Sequence, residues 1–352
     1  MGIFNGENRL FVAKKEGTPG TAETFSAADY NIRVRNLALG ALTVEMDNEN
    51  SKFATGDHTQ DEAIPGIKKG EISFDVKIAP GVYSYTGAIS SFPEGKLFAC
   101  SGLTEAYVGA TGIAGEWKYT PTRASDATTL TAAIIDIETG SSPKAIEYKV
   151  AGAMGTLSIG CEGTGKPFMA NFKFSGKVDG VTELVSIPEY SDTDGIGTLA
   201  DKFLDTTVQI TPLDVNGNED GAAIEFCTNS FSLELGSEIS SINCQADLSG
   251  ILYDSITARK PMVKINPLLT NLTTWDFFDS LNTVTLYKVE IINASVSLEV
   301  PRAQLMNNSI GDDSGRFRNE LNFRPLRNIL GATQAEKEAV FTLSISEIEK
   351  VY

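Results

Sequence analysis

Apolar and polar residues alternate with a period of two along most of the chain. Leu42-Thr43-Val44-Glu45-Met46, Ile72-Ser73-Phe74-Asp75-Val76-Lys77-Ile78 and Phe231-Ser232-Leu233-Glu234-Leu235 show the pattern, and it returns in Ala294–Val300 and Phe341–Ile345. Each run predicts a strand with one buried and one wet face. Glycine and proline fall between the runs as turn punctuation. Helical patterning is scarce. Phe92–Cys100, with Pro93 near its start and Glu94 in its first turn, predicts one short helix. Asn271–Leu281 predicts a second, and Thr333–Glu338 a single turn. The fold class is therefore all-β, sandwich or barrel, with a few short helices.

The stretch Ile187–Gly197 is acidic, glycine-bearing and aperiodic, and divides the chain into residues 1–188 and 189–352. A weak internal repeat follows the same division. Leu42–Met46 precedes Ile72–Val76 by 30 residues, and Phe231–Leu235 precedes Met262–Ile265 by 31. Later in each half comes a strand pair around a loop, Thr156–Ile159 with Phe172–Phe174 and Val296–Glu299 with Leu321–Phe323.

Hydrophobic residues make up 41% of the 352 and charged residues 21%, which excludes global disorder. No run of eighteen apolar residues exists to cross a bilayer as a helix, and Met1–Gly6 has neither an apolar run nor a basic cluster, so no secretory leader is expected. The net charge of −17 disfavours gripping phosphate backbones. The second half carries most of it, −12 against −5. Cys100, Cys161, Cys227 and Cys244 form no C-x-x-C pair and read as reduced, buried thiols.

Candidate chemistry is sparse. Asp313-Ser314-Gly315 is a single D-[S/T]-G turn, whereas an aspartic protease needs one on each lobe. Asp214-Val215-Asn216-Gly217-Asn218-Glu219-Asp220-Gly221, with Glu225, has calcium-loop oxygens but Glu219 where the loop wants glycine. The same segment also reads as a hairpin, Thr207–Ile210 with Ala223–Phe226, turning through a type I′ Asn216-Gly217 pair. His58, the one histidine, sits in a charged loop. Arg316, Arg318, Arg324 and Arg327 could line one strip facing an acidic neighbour. Phosphate-binding and nucleophile-elbow motifs are missing, so no catalytic, cofactor-binding or metal-ligating set is assigned.

Several segments, in order, resemble tailed-phage tail tube (major tail) proteins. Leu10–Thr21 is similar to that family's opening strand and Lys-Glu-x-x-x-Gly-Thr turn. Leu97-Phe98-Ala99-Cys100-Ser101-Gly102-Leu103, Glu116–Thr122, Ala151–Thr156 and Lys166–Gly176 resemble later family segments. The resemblance covers about residues 8–180; the remainder fits only as a diverged copy. It implies two tail-tube-like β domains whose strands close a barrel between subunits. The subunits would form stacked rings, hexameric for one domain per chain or trimeric and pseudo-hexameric for two, as a conduit for DNA delivery. Implied partners are further copies, the tape measure, tail terminator and baseplate proteins, with DNA passing unbound; the location is the virion tail, assembled in the host cytoplasm, with no membrane or cofactor. The polar loop Asp47–Gly70 would reach an adjacent ring. An acidic bore would draw carboxylates from one strand parity, with Glu45, Asp75, Glu234 and Glu299 as candidates. The competing function class is a β-sandwich binding or adhesion module, calcium-dependent through the Asp214 loop.

Overall fold

The computed structural model describes residues 3–40, 42–47, 64–78, 81–83, 94–109, 115–122, 128–139, 143–190, 202–268, 275–313, 316–331 and 333–349. The first half runs β1 (Ile3–Lys15), β2 (Arg35–Leu39), β3 (Thr43–Asp47), β4 (Ile64–Lys77), β5 (Gly81–Tyr83), α1 (Gly95–Cys100), β6 (Leu103–Val108), β7 (Glu116–Pro121), β8 (Leu130–Thr139), β9 (Ala145–Cys161) and β10 (Met169–Leu184). The second runs β11 (Thr207–Leu213), β12 (Ile224–Glu225), β13 (Thr228–Glu234), β14 (Ser237–Asn243), β15 (Ile251–Arg259), β16 (Met262–Pro267), α2 (Phe277–Thr283), β17 (Leu286–Ile292), β18 (Val296–Asp313), β19 (Arg316–Pro325), α3 (Gln334–Glu338) and β20 (Thr342–Glu349). The protein is all-β, and among the described residues it has three short helices and strands that do not close a barrel within the chain.

Two long strands change partners along their length and so build two layers. The first part of β9 pairs with β8, and its last residues, Ser158–Cys161, pair with β13. Likewise β18 begins between β17 and β20 and ends, from Ala303, against β19. One layer is therefore β2 and β3, then β4, β10, the end of β9, β13, β16, β19 and the end of β18. The other contains β1–β8 and β11–β17–β18–β20–β7–β6. Phe74, Phe172 and Phe174 from the first layer meet Tyr119, Val289, Leu343 and Ile345 from the second in one core that runs through both halves. Val12, Tyr30, Ala133, Ile135 and Ala145 form a smaller core on the reverse face of β1–β8. Burial on both faces explains the unbroken apolar run at Ala132–Ile135.

The halves share a strand order. In the first, β1 pairs β8, β8 pairs β9, β9 pairs β10, β10 pairs β4 and β4 pairs β2. In the second, β11, β17, β18, β19, β16 and β13 follow the same sequence of pairings. Even the irregularities agree. Leu130 faces Ala153 and Ala132 faces Val150, as Tyr287 faces Ala303 and Val289 faces Val300. Phe172 lies between Leu157 and Phe74, as Leu321 lies between Asn308 and Ile265.

Several local expectations need correction. The counterpart of β13 is β2, not the Leu42–Met46 strand, because Leu39 faces Ile72 as Leu233 faces Val263. The Asp47–Gly70 loop is shorter than its polarity implied: Ile64–Gly70 already belongs to β4, paired with β3, and residues 48–63, His58 included, lie outside the described residues. Val296–Glu299 pairs with β17 and β20, while Leu321 and Phe323 meet the later residues Asn308 and Leu305. In place of a loop between β13 and β16, the second half carries the β14–β15 hairpin, folded over the first half. Lys68 N donates to Ser249 O at 3.0 Å, and Ser175 Oγ to the fully buried Asp254 at 2.5 Å. Lys177 pairs with Asp247 at 2.6 Å. Gly20, at φ +78°, passes so close beneath the hairpin that a Cβ would stand 2.1 Å from Leu252 O.

Candidate assembly surface

Strand alternation gives the first layer a continuous polar face. Asp75 on β4, Asn171 on β10, Ser158 on β9, Ser232 on β13, Lys264 and Asn266 on β16 and Glu320 on β19 line one groove of about 630 Å³. Several carboxylates of this face are engaged: Lys173 Nζ lies 2.9 Å from Glu71, Lys264 Nζ lies 3.0 Å from Glu234, and Asn36 Nδ2 donates to Asp75 at 2.5 Å. Arg35, Lys166 and Arg318 stand on the same wall as Glu162 and Glu320. Lys77 and Arg324 share that parity, so among the described residues the carboxylates of this face are at least matched by cations and the −17 of the chain is not concentrated on it.

The two halves meet edge to edge within that layer. Phe231, Ser232, Leu233 and Glu234 of β13 face Cys161, Gly160, Ile159 and Ser158 of β9, antiparallel. Gly160 permits the approach, since a Cβ there would fall 2.5 Å from Phe231 O. Phe168, at the start of the β10 side, is fully buried against Phe203 and Phe231, with ring centres 5.9 and 5.8 Å away. Thr164 Oγ1 donates to Asn229 Oδ1 across the seam at 3.2 Å. Burial pushes the Cys161 thiol pKa up, and its Sγ donates to Gly163 O.

At the two ends of the layer the corresponding edges have no partner strand among the described residues. Beyond Gln304, β18 is paired on one side only, by β19, and β2 is paired only by β4. Met306, Ile310 and Phe317 on the β18–β19 arm are 45%, 51% and 64% exposed. Asn319, 1% exposed, and Asn308 each hold a buried Oδ1 with no donor.

The residues singled out from sequence do not all gather here. Asp75 and Glu234 stand on the polar face as alternation required. Glu299 does not: it lies beside Glu290 and Thr342 in the other layer, within 3.9 Å of Lys288. The side chain of Glu45 lies outside the described residues. The arginine strip is not continuous. Arg318 joins the polar face and donates to Asn266 O, whereas Arg327 lies past the end of β19 and donates to Gln334; the side chain of Arg316 is not described. Asp313 ends β18, and Ser314 and Gly315 lie outside the described residues.

The Asp214 segment is a hairpin, with Gln209 facing Glu225 and Ile210 facing Ile224. Its turn is not type I′, because Asn216 keeps a negative φ and only Gly217 is left-handed, at +86°. The cause is the Asp214 carboxylate, whose Oδ1 accepts the amides of Asn216 and Asn218, both at 2.8 Å. Those bonds, the Asn218 amide first, hold its pKa below the usual carboxylate value. The carboxylate is thus engaged within its own loop. Of the four cysteines, all free, Cys100 and Cys161 are buried, Cys244 is partly so and Cys227 is exposed.

Sequence reasoning missed Ile310, Phe317, Asn308 and Asn319. Their signal was present: Asn308 and Asn319 interrupt apolar parity where the first half has Leu157 and Ala170. A scan against models of known protein families and a search of curated proteins returned no match for this chain.

Proposed function

We propose that this chain is a structural subunit that assembles with copies of itself into closed rings, stacked as the tail tube of a tailed phage. One observation carries the reading. The chain consists of two topologically equivalent halves already joined edge to edge through β9 and β13, and among the described residues the matching edges at its two ends are open. Ends that differ from one another and complement one another give a head-to-tail interface, which repeats and closes into a ring when the rotation permits. Closure removes the exposed edges that an isolated sheet would leave as a liability. If each half takes one position of a sixfold ring, the ring contains three copies.

The polar face then lines the bore. A wall of serine, threonine and asparagine on which lysines such as Lys173 and Lys264 are held by carboxylates offers few unpaired cations to release counterions from DNA, so a duplex would move along it without being held tightly. This replaces net repulsion by an acidic bore, because the carboxylates on that face are matched by cations. Other tail proteins would cap the stack at its two ends.

Native mass spectrometry with negative-stain imaging tests the proposal. Rings with a single copy number, stacking into hollow filaments at high concentration, are expected. A monodisperse monomer at every concentration tried would sink it.

A further inference from the structure

The internal seam is a template for the seam between copies, and the internal correspondence fixes its register. On the accepting edge, Ile159 faces Ala170 in the first half and Ile310 faces Asn319 in the second. The aligned rungs behind them, Leu157–Phe172–Phe74 and Asn308–Leu321–Ile265, make Ile310 the counterpart of Ile159. On the donating edge, Leu39 is the counterpart of Leu233, since each faces the equivalent residue of the next strand, Ile72 or Val263. Within the chain, Leu233 stands opposite Ile159. Resting on the ring reading above, we infer that β2 of a second copy adds antiparallel to the end of β18 with its Leu39 opposite Ile310.

Three independent features meet at this edge. Phe168 and Phe317 are counterparts two residues before the paired Ala170 and Asn319, yet Phe168 is buried under Phe231 while Phe317 is 64% exposed. The inferred register brings Leu37 of the second copy toward Phe317, as Phe231 lies over Phe168. The orphaned oxygens of Asn308 and Asn319 occupy positions that are apolar and closed in the first half. A buried carboxamide without a donor penalises every pairing that fails to supply one, which makes it a register-setting device. Charge along the two strands is also complementary. Arg35 opens β2, while β18 ends at Asp312 and Asp313 in the sequence, and antiparallel pairing of Leu39 with Ile310 brings those ends together.

The test is a register-specific disulfide. Directly opposed residues of an antiparallel pair have Cα atoms within disulfide range. In a Cys227→Ser, Cys244→Ser background, a variant with Leu39→Cys and Ile310→Cys should oxidise to covalent multimers up to the ring's copy number, and either single cysteine should not. Pairing Leu39→Cys with Asn308→Cys, displaced by two residues, should cross-link about tenfold less. Equal cross-linking of the displaced pair, or rings that form without any cross-link, would overturn the register while leaving ring assembly standing. Hydrogen exchange on the unmodified protein gives a second reading: amides of residues 35–39 and 307–313 should slow by about tenfold or more in rings relative to dilute monomer. No slowing in rings imaged in the same sample would also overturn it. Failure of the unmodified chain to form rings at all would remove both the register and the reading beneath it.

Discussion

Glu16 shows what a single residue contributes at the most recognisable turn of the sequence. It is 4% exposed, and its two carboxylate oxygens accept four hydrogen bonds. Oε1 takes the Thr131 hydroxyl at 2.8 Å and the Gly152 amide at 2.7 Å; Oε2 takes the Gly20 amide at 2.7 Å and the Thr129 hydroxyl at 2.5 Å. One side chain thereby fastens the end of β1 to β8, to the bend of β9 and to the turn at Gly20. The spacing Glu16 to Gly20 was visible in the sequence, but its partners, more than a hundred positions away, were not. Glu16→Ala should cost about 3 kcal/mol or more, because four buried donors lose their acceptor together. Glu16→Gln should fall between, since its amide nitrogen faces donors. Urea unfolding of the two variants measures this. A loss below about 1 kcal/mol for the alanine would mean that water replaces the carboxylate freely.

At the scale of elements, the β14–β15 hairpin is held to the first half by a charged contact whose strength depends on pH. Burial alone would raise the pKa of Asp247, but hydrogen bonds from Lys177 and Ser249 outweigh it and hold it down to about 2. A carboxylate depressed in the folded state contributes stability that is complete above its unfolded value near 3.8 and is lost as pH falls toward about 2. The hairpin should therefore loosen across that window, read as faster exchange of residues 237–259 relative to the core. Lys177→Met should flatten the dependence; an unchanged slope would assign the acid sensitivity to another contact. This hairpin also marks where sequence reading stopped. Local alternation identified Ile72–Ile78 and Phe231–Leu235 as strands, and the single turn read over Thr333–Glu338 is a short helix that Thr333 and Glu336 close with a capping box. Alternation reports parity and not sheet, so Glu234 and Glu299 read alike and lie in different layers. Nor does it report partners. That β9 and β18 change neighbours midway, and that β20 inserts between β18 and β7, are long-range choices with no local signature.

For the whole molecule, the governing quantity is a net charge of −17 on a chain proposed to pack against itself. Copies of one acidic protein repel at long range, although at physiological salt this is screened beyond about 8 Å. Association then requires opposite charges within that distance, and in the inferred register the sequence positions of Arg35, opening β2, and of Asp312 and Asp313, closing β18, bring them together. Exposed pairs of this kind contribute modestly, about 0.2–1 kcal/mol each. Their larger effect is to exclude wrong pairings, since an edge meeting its own kind sets like charges together. Arg35→Glu should therefore weaken ring formation severalfold without unfolding the monomer, because Arg35 is exposed at the rim of the groove. Asp312→Lys with Asp313→Lys should weaken it comparably. Combining the reversals restores opposite signs across the seam, so the triple variant should recover most of the loss when compared by sedimentation velocity at one ionic strength. Mixing the two defective variants makes a stricter test. In the mixture both mixed seams join opposite signs and both unmixed seams join like signs, so the two kinds of chain should assemble only by alternation, which a ring of three copies cannot complete. Homogeneous rings from the mixture, or no recovery in the triple variant, would show that charge at these edges does not select the partner.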